Sequence, residues 1–168
     1  MRRVVGLLVA VALALASAPA FAATVQIVAL GASNTAGKGV GEAAAWPAQL
    51  EAMLRAKGLD VRVRNAGISG DDTSGMLARL NSAVPEGTNI VILEKAASND
   101  RKRGVNTGAN VAAMQSRLNA RHIKSFVIPG MHGWAGNQLQ ADGIHITVAG
   151  HRAVAARLVP VVTGMLGK

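Results

Sequence analysis

The sequence has 168 residues, the length of one domain, and contains no cysteine, which excludes disulfide bonds, thiol nucleophiles and cysteine-ligated zinc. Its formal net charge of +9 favours at most a weak attraction to anionic surfaces, because the basic residues are dispersed along most of the chain. Two Trp, two Phe and no Tyr are too few for platforms that stack bases, so we expect no nucleic-acid partner.

The first 22 residues have the pattern of a secretory signal peptide. Two arginines follow the initial Met, residues 4–16 are an apolar run, and residues 20–22 read Ala-Phe-Ala, a small-residue cleavage site. The apolar run is too short to span a bilayer comfortably, which argues against a retained membrane anchor. We therefore predict a signal peptide over residues 1–22, a single domain over residues 23–168, and a periplasmic or secreted protein without an integral membrane span after cleavage.

The folded part is predicted to begin with a strand that leads directly to a serine. Residues 25–30 are an apolar run of strand character, Gly31 ends it, and Ser33 follows. Considered alone, Ser33 is more commonly a turn or helix N-cap residue. The segment from Gly31 to Gly39 suggests a phosphate-binding loop. Five residues rather than four separate Gly31 from Gly37, and Gly39 rather than Ser or Thr follows Lys38, so we reject that interpretation.

Helical patterns then alternate with strands along the rest of the chain. The predicted helices are residues 45–57, 73–81 and 107–121 and a last helix capped by Thr147 and disturbed near its end by Pro160, and the predicted strands are residues 61–64, 89–93 and 124–128. Residues 61–64 alternate between apolar and charged side chains, which is typical of a strand near a sheet edge. Strands separated by helices favour right-handed βαβ units, so we predict an α/β fold with a parallel sheet.

Polar residues follow these strands at what is expected to be one edge of the sheet. Ser33 follows the first strand, Gly70 the second and Asn99 the third, while Asp142 and His145 come just before the last helix. Ligands of open α/β sheets bind outside the carboxyl ends of the strands, so we expect these loops to converge on one crevice.

These residue types can perform nucleophilic catalysis on a carbonyl group. His145 can accept the proton of Ser33, and Asp142, three residues earlier, can orient the imidazole ring and stabilise its charged form. The backbone N–H groups of Ser33 and Gly70 and the side-chain amide of Asn99 are available as donors to an oxyanion. Each residue also has an ordinary structural reading when taken alone, Asn99 and Asp142 as turn residues and His145 as a structural histidine.

The three other histidines are weaker candidates. His122 lies at the end of a predicted helix, where it can interact with the helix dipole, and His151 lies inside the last helix. His132 lies in neither the Asp/His block nor a strand-end motif.

Blocks spread over almost the whole predicted domain resemble the SGNH (GDSL-type) hydrolases, especially small periplasmic thioesterase, lysophospholipase and arylesterase enzymes. The matching blocks are residues 30–37, 44–50, 65–74, 76–80, 99–100 and 142–145. The resemblance implies a flavodoxin-like three-layer α/β/α sandwich and a catalytic triad of Ser33, His145 and Asp142. It also implies an oxyanion hole from Ser33, Gly70 and Asn99, cleavage of carboxylic esters or thioesters through an acyl-enzyme, and no metal or other cofactor.

The sequence departs from the family pattern at three places. Ala32 stands where the family usually has Asp, which removes one support of the nucleophile turn, and the usual Gly-Gly before Asn99 is replaced within residues 94–98. Only residues 129–140 separate the fourth strand from the Asp/His block, so we expect about four core strands.

The substrate is expected to be a small-molecule or lipid ester, and the protein a monomer. Two alternatives stay open at this point: a carbohydrate O-acetyl esterase with the same machinery, and a binding protein that kept the fold while Ala32 and residues 95–98 disabled catalysis.

Overall fold

Four parallel strands form the central sheet, in the spatial order β2-β1-β3-β4. The computed structural model describes residues 23–167, and its strands are β1 (Val25–Gly31), β2 (Val61–Gly67), β3 (Ile90–Leu93) and β4 (Lys124–Val127). All three neighbouring pairs are parallel. The predicted α/β fold with four core strands is therefore confirmed, and β2 lies at an edge of the sheet as its alternating pattern indicated.

Helices cover both faces of this sheet. They are α1 (Ser33–Ala36), α2 (Trp46–Ala56), α3 (Thr73–Ala78), α4 (Leu80–Ala83), α5 (Ala97–Arg103), α6 (Thr107–Ala120), α7 (Met131–Trp134) and α8 (Val148–Met165). Successive side chains of β1 point to opposite faces. Ile27 and Ala29 pack in a core with α2 and α8, whereas Val28 and Leu30 pack in a second core with α3, α4 and α6. This arrangement is the predicted three-layer sandwich.

Helices α6 and α8 begin at side-chain caps, whereas α2 has no side-chain cap and carries Pro47 in its first turn. The side chain of Asn106 accepts a hydrogen bond from the Ala109 N–H at the start of α6. The Thr147 hydroxyl accepts from the Gly150 N–H at the start of α8, as the sequence predicted. Before α3 the cap is Asp72, whose side chain accepts from the Gly75 N–H, whereas the sequence favoured Thr73 as the cap.

Two details of the helices differ from expectation. The predicted helix 73–81 is divided at Arg79, whose side chain turns towards the ends of β1 and β2. Helix α8 continues past Pro160 to Met165. The carbonyl that Pro160 cannot satisfy belongs to Ala156, which is exposed, so solvent can bond to it and the helix tolerates the proline.

The outer edge of β2 is bonded by side chains of α2. The Val63 N–H donates to Glu51 Oε2 at 2.6 Å, and Arg55 Nε donates to the Val61 carbonyl at 2.9 Å. These contacts occupy backbone groups that would otherwise be open to another strand.

The predicted signal peptide, residues 1–22, lies outside the described residues and stays a prediction. Over residues 23–167, none of the helices has the length and apolar character needed to cross a membrane.

Candidate active site

Ser33, His145 and Asp142 lie in one hydrogen-bonded chain. Ser33 is the first residue of α1, directly beyond the carboxyl end of β1. Its Oγ lies 3.0 Å from His145 Nε2, and His145 Nδ1 lies 2.5 Å from Asp142 Oδ2. With the Nδ1 proton donated to the carboxylate, Nε2 is left to accept the proton of the serine hydroxyl. The structure thus brings together the three residues that the sequence singled out.

Backbone donors fix the Asp142 carboxylate in place. Oδ1 accepts hydrogen bonds from the N–H groups of Ile144 and His145, both at 2.9 Å. The hydrogen bond from the His145 ring, together with these two backbone donors, holds the pKa of the Asp142 carboxyl well below its usual range. Asp142 is therefore ionised at every pH near neutrality, although its side chain is partly exposed.

The nucleophile turn and the His145 segment are joined by two further side chains. Asn34 Oδ1 accepts from the Ile146 N–H at 3.0 Å. Gln140 Nε2 donates to the carbonyls of Lys38 at 2.9 Å and Ile146 at 2.8 Å. The Asn34 bond joins the neighbour of Ser33 to the neighbour of His145, and Gln140 joins the segment after the nucleophile turn to the segment that carries His145. Together these bonds hold Ser33 and His145 at a defined distance.

A buried carboxyl group from the end of β3 braces the nucleophile turn. Glu94 Oε2 accepts from the N–H of Ala32 at 2.9 Å, the N–H of Thr35 at 3.0 Å and the hydroxyl of Thr35 at 2.6 Å. Burial raises the pKa of the Glu94 carboxyl, and the three donors act in the opposite direction. We expected Ala32 to leave this turn with less support. The structure supplies that support from Glu94, which the sequence reading noted only as part of a departure from the family pattern.

Gly31 is required beside this brace. A Cβ atom at Gly31 would lie 2.1 Å from Thr35 Oγ1 and 2.6 Å from Glu94 Oε2, far inside contact distance. The glycine that ends β1 therefore permits the carboxyl group to reach the turn that carries Ser33.

Of the two other predicted oxyanion donors, Asn99 lies beside the nucleophile and Gly70 lies further out. Asn99 lines the same cavity as Ser33, and its Nδ2 donates to the Asp71 carbonyl at 2.6 Å. Gly70 occupies the exposed turn just before Asp71, with φ of 84°, and among the described residues it does not line that cavity. The link from Asn99 to Asp71 is what connects the Gly70 turn to the site.

Arg79 holds this second loop against the end of the sheet. Its guanidinium donates to Asp71 Oδ2 at 2.8 Å, to the Ala66 carbonyl at 2.9 Å and to the Gly31 carbonyl at 3.0 Å. The sequence reading missed this role, because an arginine near the end of a short helix looks like an ordinary surface residue.

A cavity of about 260 Å³ opens beside Ser33. Its walls come from the end of β3 and the start of α5, from the segment after β4 including α7, and from Ile144. His132, on α7, donates from Nε2 to the Ile144 carbonyl at 2.8 Å and so joins two of these walls.

The remaining histidines lie away from Ser33. His151 is fully buried between α2 and α8, and its Nδ1 accepts from the Trp46 N–H at 3.1 Å. Burial lowers the pKa of His151 to about 4. His122 is exposed at the end of α6. Within residues 23–167, no three His, Asp or Glu side chains are grouped so as to hold a metal ion.

Comparison with known proteins gives concordant matches. The sequence model of the GDSL-like lipase/acylhydrolase family matches residues 29–138. Esterase TesA of Pseudomonas aeruginosa is 32% identical over 110 residues, which are 64% of this chain and 55% of the relative. An arylesterase of Vibrio mimicus is 31% identical over 121 residues, which are 62% of this chain and 60% of the relative. The matches thus span less than two thirds of either relative.

Solved structures show the same fold. A crystal structure of TesA superposes with a TM-score of 0.74 at 26% identity, covering 83% of this chain and 99% of that one. The psychrotrophic esterase EstA of a Pseudoalteromonas species superposes with a TM-score of 0.71 at 20% identity, covering 85% of this chain and 99% of that one. Because the identity to EstA is only 20%, this superposition shows a shared fold and nothing about activity.

Proposed function

We propose that this chain, which belongs to the GDSL-like lipase/acylhydrolase family, is a serine hydrolase that cleaves carboxylic esters or thioesters through an acyl-enzyme. The observation that carries the proposal is the hydrogen-bonded chain from Ser33 through His145 to Asp142, at 3.0 and 2.5 Å. The similarity to an esterase and an arylesterase supports the same class of substrate.

In the proposed mechanism His145 moves one proton in two directions. Its Nε2 accepts the proton of Ser33 as Oγ attacks the carbonyl carbon, and it then protonates the leaving group. In the second half of the cycle His145 activates a water molecule, which releases the acid and restores Ser33. The Asp142 carboxylate stabilises the imidazolium that forms in each half.

We assign the oxyanion hole to Ser33, Asn99 and Gly70. The Ser33 N–H belongs to the first turn of α1, where backbone donors have no partner within the helix. An amide side chain has two N–H donors, so Asn99 retains one after bonding to Asp71. The Gly70 N–H is included because its turn is linked to Asn99 through Asp71 and carries no side chain that would obstruct a substrate.

We also propose an exported monomer that needs no cofactor. The signal-peptide pattern of residues 1–22 supports a periplasmic or secreted location. The bonding of the β2 edge by Glu51 and Arg55 supports a monomer, because it removes one route to pairing with a second copy.

Substitution of the triad tests the proposed activity. Ser33→Ala and His145→Ala are each expected to lower kcat for p-nitrophenyl acetate by about a thousandfold or more. Ser116→Ala and His122→Ala, at exposed positions on and beside α6, serve as matched controls and should retain activity. Normal turnover in the Ser33 and His145 variants would sink the proposal.

Labelling with a fluorophosphonate distinguishes the enzyme from a binding protein with the same fold. The proposed hydrolase should be modified at Ser33, whereas a binding protein without a working triad would leave Ser33 unmodified.

A further inference from the structure

The cavity beside Ser33 combines an apolar wall with one basic side chain. Apolar side chains of Ala96, Ile128, Met131 and Ile144 contribute to its lining. Of the described residues that line it, Lys95 is the only lysine or arginine. At about 260 Å³ the cavity is slightly smaller than the roughly 300–1,000 Å³ typical of pockets for drug-sized ligands, so it suits one short arm of a substrate.

Lys95 has no structural partner that would explain its position. It is half-buried, and within residues 23–167 its ammonium forms no ion pair. Glu94 also lines the cavity, but its carboxyl group bonds to Ala32 and Thr35 on the side of the nucleophile turn, and within residues 23–167 it forms no ion pair with Lys95. A partly desolvated cation without a counterion is unfavourable, and a ligand that supplies the negative charge offsets that cost.

The turn that holds Lys95 at the cavity has a strained conformation. Ala96 is buried and has φ of 47°, in the left-handed region that residues with a side chain rarely adopt. Such conformations persist only where surrounding contacts enforce them, and they concentrate at functional sites. Here the contacts of Glu94 fix one side of the turn, so Lys95 is presented at a defined place.

We propose that the acyl chain of the substrate ends in a carboxylate and that Lys95 binds this group. The inference rests on the proposed hydrolase function and names its substrate class: short ω-carboxyacyl esters or thioesters. An aliphatic chain matches the apolar wall, and a terminal carboxylate matches the ammonium of Lys95. His132 is not the binding group, because its Nε2 is bonded to the Ile144 carbonyl.

Two esters with acyl chains of five carbon atoms test the inference: p-nitrophenyl valerate, which is neutral, and mono-p-nitrophenyl glutarate, which ends in a carboxylate. The unmodified protein should hydrolyse the glutarate ester with a kcat/KM about tenfold higher, the effect of one hydrogen bond to a charged group. Added salt should reduce this preference, because it screens the charge of Lys95.

Substitutions of lysine assign the preference to one side chain. Lys95→Met should bring the ratio of kcat/KM for the two esters close to one, and Lys95→Arg should retain most of the preference. Lys102→Met removes an exposed lysine of α5 and is the matched control, with the preference intact.

Three results would overturn the inference: no preference in the unmodified protein, a preference that survives Lys95→Met, or an equal loss on both esters. These results differ from a failure of the proposed function. In that case neither ester would be hydrolysed by a reaction that depends on Ser33.

Discussion

Three consecutive residues of α1 connect the nucleophile to separate parts of the chain. Ser33 contacts His145, Asn34 binds the Ile146 N–H, and Thr35 binds the Glu94 carboxyl through both its N–H and its hydroxyl. One helical turn thereby fixes the serine relative to the loop before α8 and to the end of β3. Residues that never touch the substrate decide whether Ser33 and His145 stay within hydrogen-bond distance.

Outside the triad and the assigned oxyanion hole, Glu94 is the residue whose loss we expect to reduce activity most clearly. Glu94→Ala leaves the donors of Ala32 and Thr35 buried without an acceptor, so the turn should shift and misplace Ser33. We expect kcat on p-nitrophenyl acetate to fall by more than about tenfold with little change in KM, since a misplaced nucleophile of this kind costs up to about a hundredfold in rate. Glu94→Gln retains an oxygen acceptor and should recover most of kcat.

Glu86→Ala is the control for this prediction, because Glu86 is exposed and lies far from Ser33 along the chain. A Glu94→Ala variant with the kcat of the Glu86→Ala variant would show that the brace has no part in placing Ser33.

Among individual residues, the sequence predicted those that can be recognised from a short stretch of neighbouring residues. Asp142 and His145 are three positions apart, and Ser33 follows a strand directly, so each is visible in a short stretch. The contact between Glu94 and Ala32 joins residues 62 positions apart, and Glu94 stands next to Lys95, so it reads as part of a charged surface. Only the folded chain shows that its carboxyl group is buried.

Among the described elements, helices α1, α2, α5, α6 and α7 end in the same way, and only α6 does so without a glycine. After α2, α5 and α6 the next N–H bonds back across the last turn, from Leu59 to Leu54, from Val105 to Asp100 and from Ile123 to Leu118. In each case the residue before that N–H has positive φ: Gly58 at 79°, Gly104 at 67° and His122 at 57°. The first two are glycines, for which this conformation costs little, and the third is not.

His122→Gly is therefore expected to stabilise the protein. The left-handed conformation costs a residue with a side chain roughly 1–2 kcal/mol, and the greater freedom of glycine in the unfolded chain takes back about 0.5–1 kcal/mol. Because His122 is exposed, little packing is lost. The free energy of unfolding, measured with urea, should rise by about 0.5–1 kcal/mol.

The matched control is Ala112→Gly, at an exposed position inside the same helix. It should lower the free energy of unfolding by about 1 kcal/mol. If His122→Gly destabilises the protein as much as Ala112→Gly, the strain assigned to the end of α6 is absent.

The long elements could be predicted from sequence, and the short ones could not. Periodic apolar residues placed both ends of α2 and α6 to within a residue or two, and Thr147 placed the start of α8, whose end lies beyond Pro160 at Met165. Helices α1, α5 and α7 have between four and seven residues, fewer than two full turns, so they leave no periodic pattern. Each of them follows the carboxyl end of a strand, which is where the site is built.

For the molecule as a whole, His151 connects stability to pH. It lies in the core between α2 and α8, and burial lowers the pKa of its ring to about 4, compared with 6.5 for an ordinary histidine. Between these values the unfolded chain binds a proton that the folded protein does not. The contribution of the neutral His151 ring to the free energy of unfolding is therefore fully present above about pH 6.5, and it is lost as the pH decreases towards about 4.

His151→Asn should make the free energy of unfolding less dependent on pH. The loss in the unmodified protein between about pH 6.5 and 4 is at most about 3 kcal/mol from this group, at 1.36 kcal/mol for each unit of pKa. Asparagine does not titrate and retains an acceptor for the Trp46 N–H, so the variant should be less stable at neutral pH but show a flatter profile.

The measurement is urea unfolding of both proteins at several pH values across this window. The difference between the two profiles removes the contribution of other groups, including Glu94, whose raised pKa acts in the opposite sense above about pH 4.5. Parallel profiles would exclude His151 as the source.

The contact between Ser33 and His145 has a consequence for the order in which parts of the site assemble during folding. The two residues are separated by 112 positions, nearly the whole length of the domain, and the loop between them contains β2, β3 and β4. Contacts of such long range form late, since the chain loses much conformational freedom before they are made. Recovery of Ser33 reactivity during refolding would therefore mark the final docking step. A truncated chain that lacks its C-terminal segment would carry the nucleophile without its base.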